Sequence, residues 1–218
     1  MRLVLASASP RRKDLLAGLG VPFEVRPSRA PEDEPGRVPP AEAGGLALRL
    51  ARRKAEAVAA ELAGAPDVLV IGADTLVVLS DRILGKPASP EEAAAMLRAL
   101  SGREHRVVTA VVVAEPATGR VEEGVEETKV FFRRLGPEDV QSYLATGEPF
   151  DKAGAYAIQG VGALLVERVE GCYFNVVGLP LGRLAEVLGR FGVNLLREAA
   201  LAGKGGGGTR RNITGLTE

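Results

Sequence analysis

The fold is organised around the stretch Asp67-Val-Leu-Val-Ile-Gly-Ala-Asp-Thr-Leu-Val-Val-Leu-Ser80. Its apolar and β-branched residues run almost unbroken from position 68 to position 79, which predicts a strand buried on both faces. One carboxylate, Asp74, lies in the middle. A buried carboxylate without a partner costs several kcal/mol, so this placement favours a residue that faces a cleft, a cation or a substrate. The alternative is a bend at residues 72–75 that turns Asp74 to water.

Length and composition limit the class of protein. A chain of 218 residues is expected to form one large domain, or one domain in two lobes. We expect the domain to cover residues 1–200, followed by a disordered, Gly-rich tail over residues 201–218. The 28 basic and 28 acidic residues balance, which argues against a general binder of nucleic acid or membrane surfaces.

The sequence also limits where the protein is expected to be located and which kind of metal ion it could bind. No apolar run approaches the ~20 residues of a membrane span, and the N-terminal run is too short for a signal peptide, so we expect a cytoplasmic protein. One cysteine excludes an internal disulfide, and a single histidine argues against a His/Cys zinc site. Any metal would be a hard ion with oxygen ligands.

The N-terminal segment predicts an anion site. A strand over residues 2–6 leads through Ser7-Ala-Ser-Pro-Arg-Arg12 into a helix that ends near Gly18, with Ser9 as N-cap and Pro10 as first residue. The helix dipole disfavours Arg11 and Arg12 in the first turn unless an anion lies between them. We therefore interpret the segment as a phosphate site; two solvated arginines are the alternative.

Two lysines are placed near Asp74 by the predicted elements. Residues 41–63 have helical periodicity, and Lys54 occupies the apolar stripe of that helix, where it either faces a cleft or reaches past the stripe to water. A turn at residues 80–82 places Asp74 and Lys86 on the two arms of one hairpin. Both could then face one cleft.

The rest of the chain predicts alternating helices and strands. We expect a short strand at residues 23–26, helices at residues 91–100 and 137–146, strands at residues 105–115, 121–135 and 163–169, and a last helix from about residue 180 to 192. Residues 147–160 are rich in glycine and polar side chains and fit a ligand-lining loop. We interpret His105 as structural, whereas Thr109 stays ambiguous.

Seven motifs, in order along the chain, resemble the Maf family of nucleoside triphosphate pyrophosphatases. They are Leu5-Ala-Ser-Ala-Ser-Pro-Arg-Arg12, Ala51-Arg-Arg-Lys-Ala55, Ile71-Gly-Ala-Asp-Thr75, Gly85-Lys-Pro87, His105-Arg-Val-Val-Thr109, Asp151-Lys-Ala-Gly154 and Asn175-Val-Val-Gly-Leu-Pro180. The resemblance covers about residues 3–190. It implies an inosine-triphosphatase-like α/β fold, with a mixed twisted sheet flanked by helices and two lobes around a nucleotide cleft. It also implies release of pyrophosphate and a nucleoside monophosphate that depends on Mg²⁺ or Mn²⁺.

The resemblance also assigns roles to residues. Asp74 would activate water, directly or through the metal, and Glu32 would hold the ion with it; by spacing alone Glu32 is only a solubilising acid. Lys54 and Lys86 would act in catalysis by binding phosphate. The remaining substrate contacts would come from Ser7, Ser9, Arg11, Arg12, Thr75, Lys152 and Gln159.

The segment from residue 151 to residue 160 resembles the family branch that acts on dTTP and UTP rather than on methylated GTP. Gln159 carries a donor and an acceptor that suit the edge of uracil or thymine, although a flipped amide would suit other bases. Two rival functions stay open: a nucleotide sensor that regulates septum formation through partners, and a phosphate-binding protein that uses sugar phosphates. A homodimer is a family-level expectation only.

Overall fold

The apolar run forms a strand that is buried along almost its whole length, within the seven-stranded mixed sheet of a computed structural model. The structure describes residues 1–30 and 39–205. The strands are β1 (Arg2–Leu5), β2 (Phe23–Val25), β3 (Val68–Leu79), β4 (Arg82–Leu84), β5 (Glu104–Ala114), β6 (Val121–Phe132) and β7 (Val166–Glu170). The α-helices are α1 (Pro10–Ala17), α2 (Ala43–Glu61), α3 (Pro90–Leu100), α4 (Pro137–Ala145), α5 (Tyr173–Val177), α6 (Leu181–Gly189) and α7 (Leu195–Gly205). Short 3-10 helices occupy Pro40–Glu42, Glu148–Asp151, Ala153–Ala155 and Gly160–Leu165. The predicted α/β class, with a mixed sheet between helices, is confirmed.

The order of the strands opens a gap beside β3. The sheet runs β2-β1-β3-β5-β6-β7, with β1 parallel to both β2 and β3 and the other pairings antiparallel. On one edge of β3, β1 pairs as far as Ile71 and β4 pairs from Val77 onward. Within the described ranges, residues 72–76 therefore have a strand partner only on the β5 edge. A cleft opens at this gap.

Strand β3 passes the gap without a bend. Its register with β5 is continuous from Val70 opposite Ala114 to Val78 opposite Arg106, and Asp74 lies opposite Ala110. Asp74 is only 8% exposed. The bend that would turn Asp74 to water is therefore wrong, and its side chain is held at the cleft by a regular strand.

The two faces of β3 support different apolar clusters because successive side chains alternate between faces. Leu76 and Val78 pack in one cluster with α2. On the other face, Ile71 and Ala73 pack with α6, whereas Val77 and Leu79 pack with α3. This second face is thus divided into two lobes, and the division falls at residue 75.

Three local predictions were incomplete or wrong. Residues 163–165 are not strand, because the carboxylate of Glu148 accepts hydrogen bonds from the amides of Val161 and Gly162 and holds a 3-10 turn there. The short helix α5 was not predicted. The last predicted helix ends at Gly189, and α7 follows it, with Asn194 Oδ1 accepting from the amide of Arg197 as an N-cap would.

Two other predictions concern parts of the chain outside the described residues. Glu32 lies there, as do residues 206–218 of the predicted tail, so the metal role of Glu32 and the disorder of these tail residues stay predictions. Residues 201–205, which we also expected in the tail, belong to helix α7. Of the described helices, none combines the length and the apolar composition needed to cross a bilayer.

Candidate active site

A cleft of about 600 Å³ lies at the gap in the sheet, between the two lobes. Ten of the eleven predicted site residues line it: Ser7, Ser9, Arg11, Arg12, Lys54, Asp74, Thr75, Lys86, Lys152 and Gln159. The eleventh, Glu32, is outside the described residues. The structure therefore brings together residues that are up to about 150 positions apart in the sequence.

Asp74 and Lys54 form a tight ion pair at the base of the cleft. Lys54 Nζ donates to Asp74 Oδ1 at 2.6 Å, and each side chain is only 12% exposed. Lys54 therefore faces the cleft, and the alternative in which its ammonium snorkels away to water is wrong. A salt bridge this well buried has few competing waters and holds both groups in place.

A glycine allows this ion pair to form. A Cβ atom on Gly72 would lie 2.3 Å from Ala51 O and 2.9 Å from Ala55 Cβ, both on α2. Helix α2 thus packs directly on the backbone of β3 at this point. The close approach places Lys54 within hydrogen-bonding distance of Asp74, two residues farther along the strand.

The turn before α1 presents one hydroxyl as a donor. Ser7 Oγ accepts hydrogen bonds from the Ser9 amide at 3.2 Å and from Arg12 Nη1 at 3.3 Å. These bonds occupy both lone pairs of the oxygen, so the hydroxyl can add only its hydrogen to a further partner. A donor at the N-terminus of a helix is suited to an anionic oxygen such as that of a phosphate.

Arg12 is oriented by strand β3 and by the end of helix α5. Its Nε donates to the carbonyl of Gly178 at 2.8 Å, and its Nη2 donates to Thr75 Oγ1 at 3.0 Å. Gly178 has φ +118° at the end of α5, and a Cβ there would lie 3.5 Å from Arg12 Nε in a backbone conformation that side chains rarely adopt. The guanidinium plane is consequently fixed along the wall of the cleft.

An ion pair crosses the mouth of the cleft. Arg11 Nη1, on α1, lies 3.7 Å from Asp151 Oδ2, and Lys152 Nζ donates to Asp151 Oδ1 at 2.6 Å and to the Glu148 carbonyl at 2.7 Å. Burial opposes ionisation of Asp151, but the hydrogen bond from Lys152 and the charges of Lys152 and Arg11 outweigh it and lower its pKa. Asp151 was not predicted as a site residue, and its position beside Lys152 in the quoted motif was the only available signal.

Lys86 and Gln159 lie on the more exposed walls. Lys86 follows β4, where the Gly154 amide donates to the Gly85 carbonyl at 2.9 Å and ties the two loops together. Gln159 precedes the 3-10 turn that Glu148 holds. Both side chains are exposed at the cleft.

His105 lies beneath the cleft rather than in it. Its Nε2 is 2.7 Å from the Tyr156 hydroxyl, and its ring makes edge contacts with Tyr156 and Phe132. Burial lowers the pKa of His105 to about 4, so the ring is neutral near pH 7. This environment agrees with the structural role predicted for His105, whereas Tyr156 itself lines the cleft.

The donor set of the cleft is compatible with a hard cation. The described residues contain no group of three or more acidic, histidine or cysteine side chains able to hold a metal by themselves. Mg²⁺ is commonly bound by one or two carboxylates together with substrate phosphates, so the single buried carboxylate of Asp74 fits that mode of binding.

Comparison with known proteins identifies close relatives. Residues 2–191 match the family model described as Maf-like protein. A protein of Moorella thermoacetica named dTTP/UTP pyrophosphatase is 57% identical, over 89% of this chain and 97% of that protein. Proteins of the same name from Pelotomaculum thermopropionicum and from Geobacillus sp. (strain WCH70) are each 52% identical, over 89% and 88% of this chain and 98% of each relative.

One solved structure is more distant. The Staphylococcus aureus Ham1 protein aligns with 94% of this chain and 100% of its own at 12% identity, with a TM-score of 0.40. The family assignment rests on the match to residues 2–191 and on the relatives above half identity. On that basis, this chain belongs to the Maf family.

Proposed function

We propose that this protein is a nucleoside triphosphate pyrophosphatase that hydrolyses dTTP and UTP to the nucleoside monophosphate and pyrophosphate. The observation that carries the proposal is the buried Lys54–Asp74 pair, 2.6 Å apart, in a cleft that also contains Arg11, Arg12 and Lys86. The names of the relatives support the same reaction and the same substrates.

Asp74 acts as the base in this proposal. Lys54 donates to one carboxylate oxygen and so fixes the orientation of the group. The other oxygen accepts a proton from the water that attacks the α-phosphorus, a form of general base catalysis. The bond that breaks joins the α-phosphorus to the bridging oxygen, which leaves with the pyrophosphate.

The cations and the α1 turn stabilise the charge that develops on the phosphates. Arg11, Arg12 and Lys86 bind the triphosphate, and the Ser7 hydroxyl and the amides of the α1 turn donate to its oxygens. Donors that are already in place before the reaction stabilise the leaving pyrophosphate without reorganisation. Lys152, held by Glu148 and Asp151, adds positive charge at the mouth of the cleft.

A divalent cation, Mg²⁺ or Mn²⁺, is part of the proposal. Asp74 would hold it together with the substrate phosphates, and Glu32 would be the second protein ligand. When bound, such an ion neutralises phosphate charge and makes a bound water more acidic.

Base recognition is proposed for Gln159, which lies on the exposed wall of the cleft. Its amide offers one donor and one acceptor to the carbonyl and N3–H edge of uracil or thymine. A cytoplasmic location and a homodimer are expected for a nucleotide-metabolising enzyme of this family, and both stay predictions.

The experiment is pyrophosphate release from a panel of ribo- and deoxyribonucleoside triphosphates with Mg²⁺, with Mn²⁺ and with a chelator. The proposal expects metal-dependent release confined to dTTP, UTP and close analogues. Release from purine triphosphates alone would overturn the base assignment. No release from any triphosphate would overturn the reaction and favour the rival function of a nucleotide-binding regulator of septum formation.

A further inference from the structure

A turn at residues 157–162, which we call the Gln159 turn, forms one wall of the cleft. Ile158 and Gln159 line the cleft from this turn, and the side chain of Gln159 is exposed there. That side chain makes no hydrogen bond to any residue that the structure describes. The place that its amide takes in the cleft therefore depends on how the backbone of the turn is held.

A tyrosine on α4 and an acidic residue hold the turn at its two ends. The amide of Ala157, at the start, donates to the Tyr143 hydroxyl at 3.1 Å. The amides of Val161 and Gly162, at the end, donate to the two carboxylate oxygens of Glu148 at 3.0 and 3.2 Å. A hydrogen bond between Tyr143 and Glu148 joins these two anchors.

The direction of the bond between Tyr143 and Glu148 follows from their protonation. Burial raises the pKa of Tyr143 to about 12, so the phenol keeps its single hydrogen near pH 7. The amides of Val161 and Gly162, together with the Tyr143 hydroxyl, lower the pKa of Glu148 and keep its carboxylate ionised. The Tyr143 hydroxyl therefore accepts from Ala157 and donates to Glu148.

The turn closes tightly around this hydroxyl. A Cβ atom on Gly162 would lie 2.2 Å from the carbonyl oxygen of Ala157 and 2.7 Å from the Tyr143 hydroxyl oxygen. A Cβ atom on Gly160 would lie 2.6 Å from Glu148 Oε1. Tyr143 is itself 2% exposed and packs in the apolar cluster that includes α3. Its hydroxyl thus ties this wall of the cleft to the core.

The polarity of the Gln159 amide does not separate uracil from guanine. The pairing edge of each base carries a carbonyl oxygen beside a ring N–H, so one amide can bond to either base. The edge of guanine lies farther from the sugar because a purine has a second ring. An amide held at one place in the cleft can therefore fit uracil and clash with guanine, which is selection by position.

We propose that Tyr143 is a positioning residue for substrate choice: its hydroxyl fixes the Gln159 turn, and so favours uracil over guanine, a larger base with the same hydrogen-bonding pattern. The inference rests on the proposed pyrophosphatase function and deepens it. Tyr143 is not one of the described residues that line the cleft, so it acts through the turn and not by contact with the substrate.

The test compares UTP with GTP in Tyr143→Phe, which keeps the ring and removes the hydroxyl. Ala157 and Glu148 then each lose a partner, and the turn can recede before a larger base. We expect the ratio of kcat/KM for UTP over GTP to fall about threefold to tenfold, the range that corresponds to one neutral hydrogen bond. Where turnover of GTP is too slow to follow, its inhibition constant against UTP supplies the comparison.

Ser101→Ala is the matched control in the same lobe. The Ser101 hydroxyl oxygen accepts from the Leu135 amide at 2.8 Å, just before α4, and does not contact the Gln159 turn. This variant should lose stability and keep the wild-type ratio, which separates a positioning role from a general structural one. If Tyr143→Phe does not fold, Gly162→Ala disturbs the same turn with the hydroxyl in place and is used instead.

A double variant tests whether Tyr143 acts through Gln159. Gln159→Ala should lower the ratio of UTP over GTP by itself. Adding Tyr143→Phe to Gln159→Ala should lower the ratio no further, because residues that act as one unit have non-additive effects. An unchanged ratio in Gln159→Ala would overturn the base assignment of Gln159 and the role of Tyr143 with it.

The outcomes separate the two proposals. A wild-type protein that does not hydrolyse UTP removes the proposed function. A wild-type protein that hydrolyses UTP, together with an unchanged UTP-to-GTP ratio in Tyr143→Phe, overturns the role of Tyr143 alone. An equal change in Ser101→Ala, or a further fall of the ratio in the double variant, overturns it as well.

Discussion

Gly72→Ala tests how the fold assembles the active site. Gly72 lies two residues before Asp74 on β3, and α2 passes directly over it. An added Cβ would be 2.3 Å from Ala51 O, whereas ordinary contact begins at 3.4 Å. Helix α2 and strand β3 must therefore separate by about 1 Å, because the atoms in the way belong to backbone rather than to a flexible side chain.

The size of the effect follows from that separation. Overpacking of a buried contact costs about 1–3 kcal/mol, and the lower entropy of the unfolded alanine chain offsets about 0.4–1 kcal/mol of it. We expect a net loss of about 1–2 kcal/mol in the free energy of unfolding. A shift of this size also lengthens the 2.6 Å Lys54–Asp74 bond, and misplacement by about 1 Å can lower turnover about 100-fold.

The assay combines urea unfolding with pyrophosphate release from UTP. Gly45→Ala is the control on the same helix, because its Cβ would lie 3.7 Å from Arg49 Nη1 in ordinary contact. We expect Gly45→Ala to keep full activity and to change stability by less than about 1 kcal/mol. A Gly72→Ala protein with wild-type stability and turnover would refute the close packing as the cause of the Lys54–Asp74 geometry.

Three further predictions concern pH, phosphate binding and the wall of the cleft. His105, with a native pKa of about 4 against 6.5 unfolded, binds its proton more readily in the unfolded state, so lowering the pH from 8 to 5 should reduce the unfolding free energy by about 2 kcal/mol in urea titrations. The His105→Gln variant should lose most of this pH dependence of the unfolding free energy. If its unfolding free energy changes with pH as in the wild type, groups other than His105 cause the dependence. Arg12→Lys cannot reproduce the bonds of the guanidinium to Ser7, Thr75 and Gly178, so KM for UTP should rise about tenfold or more. A wild-type KM would show that the positive charge alone suffices. Glu148→Ala leaves the amides of Val161 and Gly162 without their acceptor, so the free energy of unfolding should fall by about 1–3 kcal/mol. The displacement of Gln159 should also lower kcat/KM for UTP. Glu148→Gln should lie between Glu148→Ala and the wild type in both measurements.

Local patterns were sufficient to predict the elements that carry most of the site. The unbroken apolar run of β3 required a buried strand, and Ser9 with Pro10 placed the start of α1 correctly, because these signals act over a few residues. The stripe position of Lys54 left two orientations open. Only the packing of α2 on Gly72 decides between them, and that contact is a property of the assembled fold.

The sequence analysis did not predict features that depend on partners outside the local sequence. The turn at residues 160–165 depends on the carboxylate of Glu148, which lies more than ten residues earlier, and its apolar composition resembled a strand. Helix α7 depends on Asn194 after the break at Gly192, whose φ of +79° ends the preceding segment. Thr109 was ambiguous because the oxygens that its buried hydroxyl contacts, Thr75 Oγ1 and the Asn175 carbonyl, are distant in the sequence.

The most direct test of the account is UTP hydrolysis by Asp74→Asn, with UMP and pyrophosphate both measured. The amide keeps the size of the side chain but cannot act as a base, so the variant should remain folded and bind UTP while turnover falls about 100-fold or more. The wild-type protein should release one pyrophosphate for each UMP. An Asp74→Asn protein that hydrolyses UTP within about tenfold of the wild-type rate would contradict the assignment of Asp74 as the base.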